Sequence, residues 1–207
     1  MATALGLRAF TGWAVAVAVK VEEGGLLRVV ERERVGLLPP TLPAQVYHVA
    51  QRLGPREARQ LIEDVAAEAC SAAEAAIRDL AGRAGDGLAA AGLIVKRGPP
   101  PHPPTHARMS HTGWHAAEGE LYRYALLRGI EAAALNATLV PEVEARDLAA
   151  AALDLRMHEL NVRLSAMGAG LGPPWTDREK MAALAGWLAL VGAAGSQGRA
   201  LDTRGGR

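Results

Sequence analysis

The sequence is poor in cysteine and has no long hydrophobic run. Its 207 residues contain one cysteine, Cys70, so no disulfide can form within the chain, which is typical of a reducing cytoplasm. No stretch approaches the roughly 20 apolar residues of a membrane span, and the N-terminus lacks the features of a secretion signal. We therefore expect a cytoplasmic protein without a membrane partner. Cys70 lies in an alanine-rich helical segment, where we expect a small buried side chain rather than a nucleophile.

The chain also lacks an excess of charge of either sign. Apolar residues make up 50% of the chain and charged residues 22%, which excludes wholesale disorder and provides enough apolar surface for one domain. The formal net charge is only +1, so the protein as a whole does not attract nucleic acid. Any such binding requires a local cationic patch.

Hydrophobic periodicity predicts a three-stranded meander in the first forty residues. Valine alternates with alanine or lysine at positions 15 to 21, the period-two pattern of a strand. Apolar runs on either side predict further strands, and the charged residues of the third strand indicate an edge. The predicted strands span residues 3–10, 13–21 and 26–38.

The rest of the chain alternates between helical and strand patterns. Apolar residues at three- and four-residue spacing predict helices over 44–53, 56–84, 110–135, 147–165 and 176–191. Short apolar runs predict strands over 89–95 and 138–143, and Pro141 places the second of these at an edge or a bulge. We expect a single α/β domain over residues 1–194 and a flexible tail over 195–207.

A short motif and the order of elements resemble one family. Residues 6–14 read Gly-Leu-Arg-Ala-Phe-Thr-Gly-Trp-Ala. This segment resembles the start of Holliday-junction resolvases and related ribonuclease H-like nucleases, where Gly-Ile-Asp ends the first strand and Thr-Gly-Trp/Tyr-Ala opens the second. A meander followed by alternating helices and strands, with extra C-terminal helices, is also the ribonuclease H-like order. A generic α/β sandwich with a mixed sheet is the competing layout.

The sequence departs from that family where the family binds metal. The resemblance implies an aspartate in the first strand that holds catalytic divalent ions, and Arg8 stands there instead. An acid is also expected near the end of the fourth strand, where this chain has Lys96 and Arg97. Only Asp177 and Glu179 remain near the start of the last helix. A guanidinium repels a metal ion, so the resemblance implies a degenerate domain without the usual two-metal centre.

The basic residues at these positions leave two interpretations open. Arg8, Lys96 and Arg97 could meet at neighbouring strand ends and bind a phosphate-bearing ligand or nucleic acid. Alternatively, Arg8 forms a salt bridge with Asp177 or Glu179 and closes the old cavity. Aromatic and basic side chains further along the chain could stack on bases, among them Tyr122 and Arg123.

Four of the six histidines lie within fifteen residues. In a helix that begins near Ser110, His111, His115 and Glu118 share one face and could bind a divalent metal such as zinc, manganese or magnesium. His102 or His106 could add a ligand from the proline-rich loop. Acid–base catalysis without metal and a merely solvated or packing role remain open.

Three functions follow from these features. The first is a degenerate ribonuclease H-like domain that binds nucleic acid or a phosphate ligand, or serves a structural role. The second is a metal-dependent nuclease or hydrolase with a relocated site at His111, His115 and Glu118. The third is a structural protein that forms homo-oligomers, because its alanine-rich helices permit close helix contacts.

Overall fold

The computed structural model describes residues 2–22, 27–84, 87–102, 110–168 and 170–202, with side chains to residue 193. The chain follows the predicted order of a meander, alternating helices and strands, and final helices. The elements of the described ranges are β1 (Thr3–Phe10), β2 (Trp13–Val21), β3 (Leu27–Gly36), α1 (Val46–Ala50), α2 (Pro55–Ala84), β4 (Leu88–Val95), α3 (His111–Ala132), β5 (Asn136–Pro141), α4 (Ala145–Ala152), α5 (Met157–Met167) and α6 (Asp177–Asp202).

The five strands form one mixed sheet with β1 at its centre, in the order β3-β2-β1-β4-β5. Strands β1, β2 and β3 pair as an antiparallel meander, whereas β4 runs parallel to β1 and β5 runs parallel to β4. The charged strand β3 and the strand with Pro141 are the two edges, where unpaired backbone groups are tolerated. Strands β1, β4 and β5 therefore end along one side of the sheet, which we call the carboxyl edge.

Helices cover both faces of the sheet. Along β1, Leu5 and Leu7 point into a core shared with α1, α2 and α3. On β2, Val15, Val17 and Val19 point to the opposite face, into a core shared with α4, α5 and α6. This alternation of side chains gives a three-layer α/β/α arrangement. Within the described ranges, every helix is too short or too polar to cross a membrane.

Two helices in the last third of the chain differ from the prediction. The helix predicted over 147–165 is divided into α4 and α5, because the chain turns at Asp154, whose φ is 49° and ends regular helical geometry. Helix α6 continues to Asp202, past the predicted end near residue 191. The domain boundary near residue 194 stays a prediction.

Glycines allow α6 to lie directly on the sheet. A Cβ atom added to Gly6 of β1 would lie 1.8 Å from the carbonyl oxygen of Ala182, and one added to Gly92 of β4 would lie 2.0 Å from that of Ala185. Both distances are far below van der Waals contact, so only glycine fits. This close approach fixes α6 against the two central strands and places its N-terminus at the carboxyl edge.

We predict that Gly92→Ala destabilises the fold by about 1–3 kcal/mol or more, because α6 must move away from the sheet. Urea unfolding followed by circular dichroism measures the change. Gly82→Ala is the matched control, because Gly82 lies in α2 with open space around its Cα. There the alanine should be neutral or slightly stabilising. Equal stability of the two variants would contradict the close approach.

Candidate functional site

Arg8 lies near the end of the central strand, at the carboxyl edge of the sheet. Its guanidinium forms an ion pair with Glu142, which directly follows β5, and a longer one of 3.4 Å with the Asp177 carboxylate at the start of α6. It also donates a hydrogen bond to the Asp177 carbonyl oxygen at 3.3 Å. The Arg8 side chain is only 18% exposed. The position that the family resemblance assigns to a metal-binding acid is thus filled by a paired cation.

Further ion pairs surround this edge. Arg146 of α4 donates to the other Asp177 carboxylate oxygen at 2.7 Å, so two guanidiniums share one carboxylate. Arg97 donates to Glu144 at 2.5 Å. The positive charges therefore neutralise the carboxylates that remain along the carboxyl edge.

Glu179 takes no part in this network, because it caps α6 instead. Its carboxylate accepts hydrogen bonds from the Thr176 backbone N–H at 2.8 Å and from the Thr176 hydroxyl at 2.6 Å. Burial favours a higher pKa for Glu179, but the hydrogen bonds from Thr176 outweigh burial and the pKa is lowered. Of the two acids considered as partners of Arg8, only Asp177 contacts it.

Two small cavities open along the carboxyl edge. One, of about 220 Å³, is lined by Arg8, Glu142 and Arg123, among others. The second, which we call the β4 cavity, has a volume of about 370 Å³ and is lined by Lys96, Arg97 and Arg123, among others. Arg8 and Arg97 thus lie in separate cavities that share Arg123. His111 and His115 line neither cavity.

The histidines of α3 instead meet a residue that the sequence analysis missed. Within the described ranges, one group of metal-binding side chains is close enough to hold an ion: His48, His111 and His115, whose nitrogens lie within 4.8 Å of one another. We call this group the histidine cluster. His48 belongs to the short helix α1, and Ser110 caps α3 by accepting a hydrogen bond from the Gly113 N–H at 3.2 Å. His106 lies outside the described residues.

Glu118 lies beneath the histidine cluster. It is 1% exposed, and its Oε1 accepts hydrogen bonds from the His48 backbone N–H at 3.4 Å and from the His48 Nδ1–H at 2.8 Å. Its Oε2 lies 3.7 Å from His115 Nδ1 and has no hydrogen-bond partner in the described structure. Glu118 is therefore buried behind the imidazoles, where it accepts hydrogen bonds from His48. It does not face solvent, as the predicted metal ligand would.

The structure corrects the prediction that Tyr122 stacks on bases. Its ring is fully buried, and its hydroxyl donates a hydrogen bond to the Ala44 carbonyl oxygen at 2.6 Å. Burial, together with the nearby charge of Glu118, raises the pKa of Tyr122. The side chain joins the segment before α1 to α3 and cannot reach a ligand.

Cys70 is half-buried and packs against the core. Burial raises the pKa of its thiol, an effect that the charge of Arg128 partly offsets. Since the thiolate is the nucleophile, this environment favours the packing role.

Comparison with known proteins identifies the fold. No protein-family model and no curated protein matches the sequence. Among solved structures, Thermus thermophilus RuvC superposes with a TM-score of 0.58 over 94% of this chain and 96% of that one, at 13% identity. T. thermophilus RuvC in complex with Holliday junction substrate gives 0.54 over 90% of each chain, at 12% identity. The fold is ribonuclease H-like. The predicted fold class is confirmed over nearly the whole chain.

The ribonuclease H-like fold brings together some predicted site residues and separates others. Arg8 reaches the carboxyl edge, and Lys96, Arg97 and Arg123 line the β4 cavity beside it. His111 and His115 form a second centre around His48. No sequence pattern could assign His48, because it lies 63 residues before His111 and only the packing of α1 on α3 makes them neighbours.

We predict that Arg8→Ala lowers the free energy of unfolding by about 1–2 kcal/mol, because Glu142 and Asp177 lose a shared cation while solvent screens their partly exposed carboxylates. Chemical denaturation measures the loss. Arg28→Ala provides the control, since Arg28 forms an exposed ion pair with Glu22, and its loss should cost less than about 0.5 kcal/mol. An unchanged Arg8→Ala variant would refute a structural role for this network.

Proposed function

We propose that this chain is a ribonuclease H-like domain that binds the phosphates of a branched nucleic acid and has no two-metal cleavage centre at its carboxyl edge. The observation that carries this proposal is the place of Arg8 between Glu142 and Asp177. Ribonuclease H-like nucleases are expected to hold divalent ions at this edge through carboxylates. Here the carboxylates hold a guanidinium.

Electrostatics explains why a metal ion does not fit beside Arg8. A two-metal centre needs several carboxylates free to face the ions. Asp177 is shared by Arg8 and Arg146, and Glu142 is paired with Arg8. A dication would have to displace guanidiniums that stay charged at every physiological pH. Repulsion between the guanidiniums and the dication opposes metal binding, and so does the loss of three ion pairs.

The β4 cavity provides the cations for phosphate binding. Lys96 is exposed, and no carboxylate in the described structure pairs with it. Arg97 is 74% exposed and is held by Glu144 on one side only. Arg123 forms its ion pair with Glu120 at 2.8 Å. These three basic side chains line one concave surface together with Glu120. Lys96, which pairs with no described carboxylate, supplies the local positive charge that a protein of near-zero net charge needs to bind a polyanion.

The comparison with T. thermophilus RuvC supports the choice of a branched nucleic acid. That protein is a Holliday-junction resolvase, and one of its structures contains a Holliday junction substrate. The present chain superposes on 90% of the RuvC chain in this complex. A shared fold gives no activity by itself. The four-way junction is therefore the first ligand to test.

Binding is tested by fluorescence anisotropy with a labelled four-way DNA junction and a linear duplex at several salt concentrations. For wild type, we expect junction binding that weakens as salt increases. Lys96→Ala and Arg97→Ala should each reduce the slope of log K against log salt by about 1, because each removes one phosphate contact. Absence of binding to both DNA molecules at low salt would overturn the proposal.

Arg28→Ala is the charge-matched control for the binding experiment. Arg28 stands near the beginning of β3, on the side of the sheet opposite the carboxyl edge. Its substitution removes the same charge but should leave the salt slope unchanged. An equal reduction in this variant would show that binding is diffuse and does not involve the β4 cavity.

The lack of a two-metal centre predicts that junction cleavage does not occur in Mg²⁺ or Mn²⁺ at protein concentrations that saturate the junction. Gel electrophoresis of end-labelled junctions measures cleavage, with T. thermophilus RuvC as the positive control. Sustained metal-dependent turnover by the wild-type protein, lost on chelation, would show that Arg8 does not block catalysis and would refute this part of the proposal.

A further inference from the structure

The histidine cluster joins two helices that are distant in sequence. His111 and His115 are four residues apart on α3, so they lie on one face in successive turns, and His48 approaches them from α1. The Nε2 atoms of His48 and His111 are 3.3 Å apart. Two nitrogens bound at about 2.0–2.1 Å to a tetrahedral zinc ion are about 3.3–3.4 Å apart. This pair already has the spacing of two zinc ligands.

The third imidazole is close enough to complete the set. All three ligand nitrogens lie within 4.8 Å of one another. His111 and His115 are exposed, so their rings can turn about the side-chain torsions without disturbing the core. Rotation of these exposed rings can shorten the remaining separations towards the 3.3 Å between His48 and His111.

Glu118 determines which nitrogen of His48 faces the cluster. A carboxylate only accepts hydrogen bonds, so the Nδ1 of His48, 2.8 Å from Glu118 Oε1, must carry a proton. In the neutral ring the lone pair then lies on Nε2, the atom that points to His111. A carboxylate behind a histidine is the usual support of a metal-binding imidazole, since it fixes the ring and makes it a stronger donor.

The buried carboxyl group of Glu118 gives a second, independent indication of a cation. Glu118 is 1% exposed, and its Oε2 has no hydrogen-bond partner in the part of the chain that the structure describes. Among the described residues, its ion-pair partners are His48 and His115, which are neutral unless protonated. A buried carboxylate without a compensating charge is costly. A dication held by the imidazoles would provide that charge.

We propose that the histidine cluster binds one zinc ion through His48, His111 and His115, with Glu118 as the carboxylate that orients His48. Imidazole favours zinc over magnesium or calcium, which prefer oxygen. The structure thus replaces Glu118 by His48 as the third ligand of the site expected from the sequence. Three protein ligands leave a fourth position, and the exposure of His111 and His115 leaves it open to solvent. The site is separate from the phosphate-binding surface proposed above.

The first experiment measures zinc binding to full-length protein that carries no affinity tag and has been stripped with a chelator. Competition with a chromophoric zinc chelator should give one zinc ion per chain. His111→Ala and His115→Ala should weaken binding at least 100-fold, because each removes a ligand. Both side chains are exposed, so folding should persist, and circular dichroism without zinc verifies this. Stoichiometric binding lost in both variants supports the site.

His158→Ala is the matched control. His158 is an exposed histidine of α5, on the opposite face of the sheet. Its loss should leave the zinc affinity and the stoichiometry unchanged. If wild type binds no zinc, or if His111→Ala and His158→Ala bind it equally, the proposal is overturned. The first result would leave Glu118 with its hydrogen bonds to His48 alone, and the second would indicate that surface histidines in general bind zinc.

The Glu118→Gln variant tests the orienting carboxylate. It keeps the size of the side chain but removes the charge, and we expect a 10- to 100-fold loss of zinc affinity with stoichiometry retained. Replacing zinc with Co²⁺ gives a spectroscopic readout of the metal site, which would not change if these residues had a purely structural role. Four-coordinate cobalt absorbs strongly in the visible range, and azide should shift this spectrum by occupying the open position. A six-coordinate spectrum that azide does not alter would contradict the proposed geometry.

Discussion

Contact between α6 and the two central strands determines the geometry of the carboxyl edge. At Gly6 and Gly92 the helix backbone lies where a Cβ would otherwise be, so no side chain separates helix from sheet. A helix held this closely cannot slide or tilt without a clash. Its first residue, Asp177, is consequently held beside the end of β1. The ion pair between Arg8 and Asp177 is a result of this packing.

The same packing explains how the Arg8 guanidinium can lie at the end of β1 at little cost in free energy. Glu142 follows β5, and Arg146 lies in the first turn of α4, so acids and bases alternate around Arg8. Each charge has a partner of opposite sign, and the charges remain in contact with solvent. Arg8 without Glu142 and Asp177 would be a poorly solvated charge at the end of a central strand. The carboxylates therefore balance the charge of Arg8 at the end of β1.

Hydrophobic periodicity, which depends only on local sequence, predicted most of the helices and strands. Strands β1 and β2 begin and end at the predicted residues. In β2, the alternating valines leave only one register in which both faces are satisfied. The break at Asp154 was missed because the helical periodicity continues across it. His48 and the partners of Arg8 were beyond prediction, since they depend on contacts between distant segments. Self-association and a cytoplasmic location stay predictions.

Helix α3 connects the two proposed sites because its faces carry different chemistry. His111, His115 and Glu118 face α1, whereas Glu120 and Arg123 line the β4 cavity. Tyr122 fixes the segment before α1 to the same helix. An ion bound by the histidine cluster would tie α1 to α3 at its first two turns, where the helix is most exposed and least supported by the core. Arg123 lies about two turns beyond His115 on the same helix, so both proposed sites depend on how α1 and the sheet hold α3.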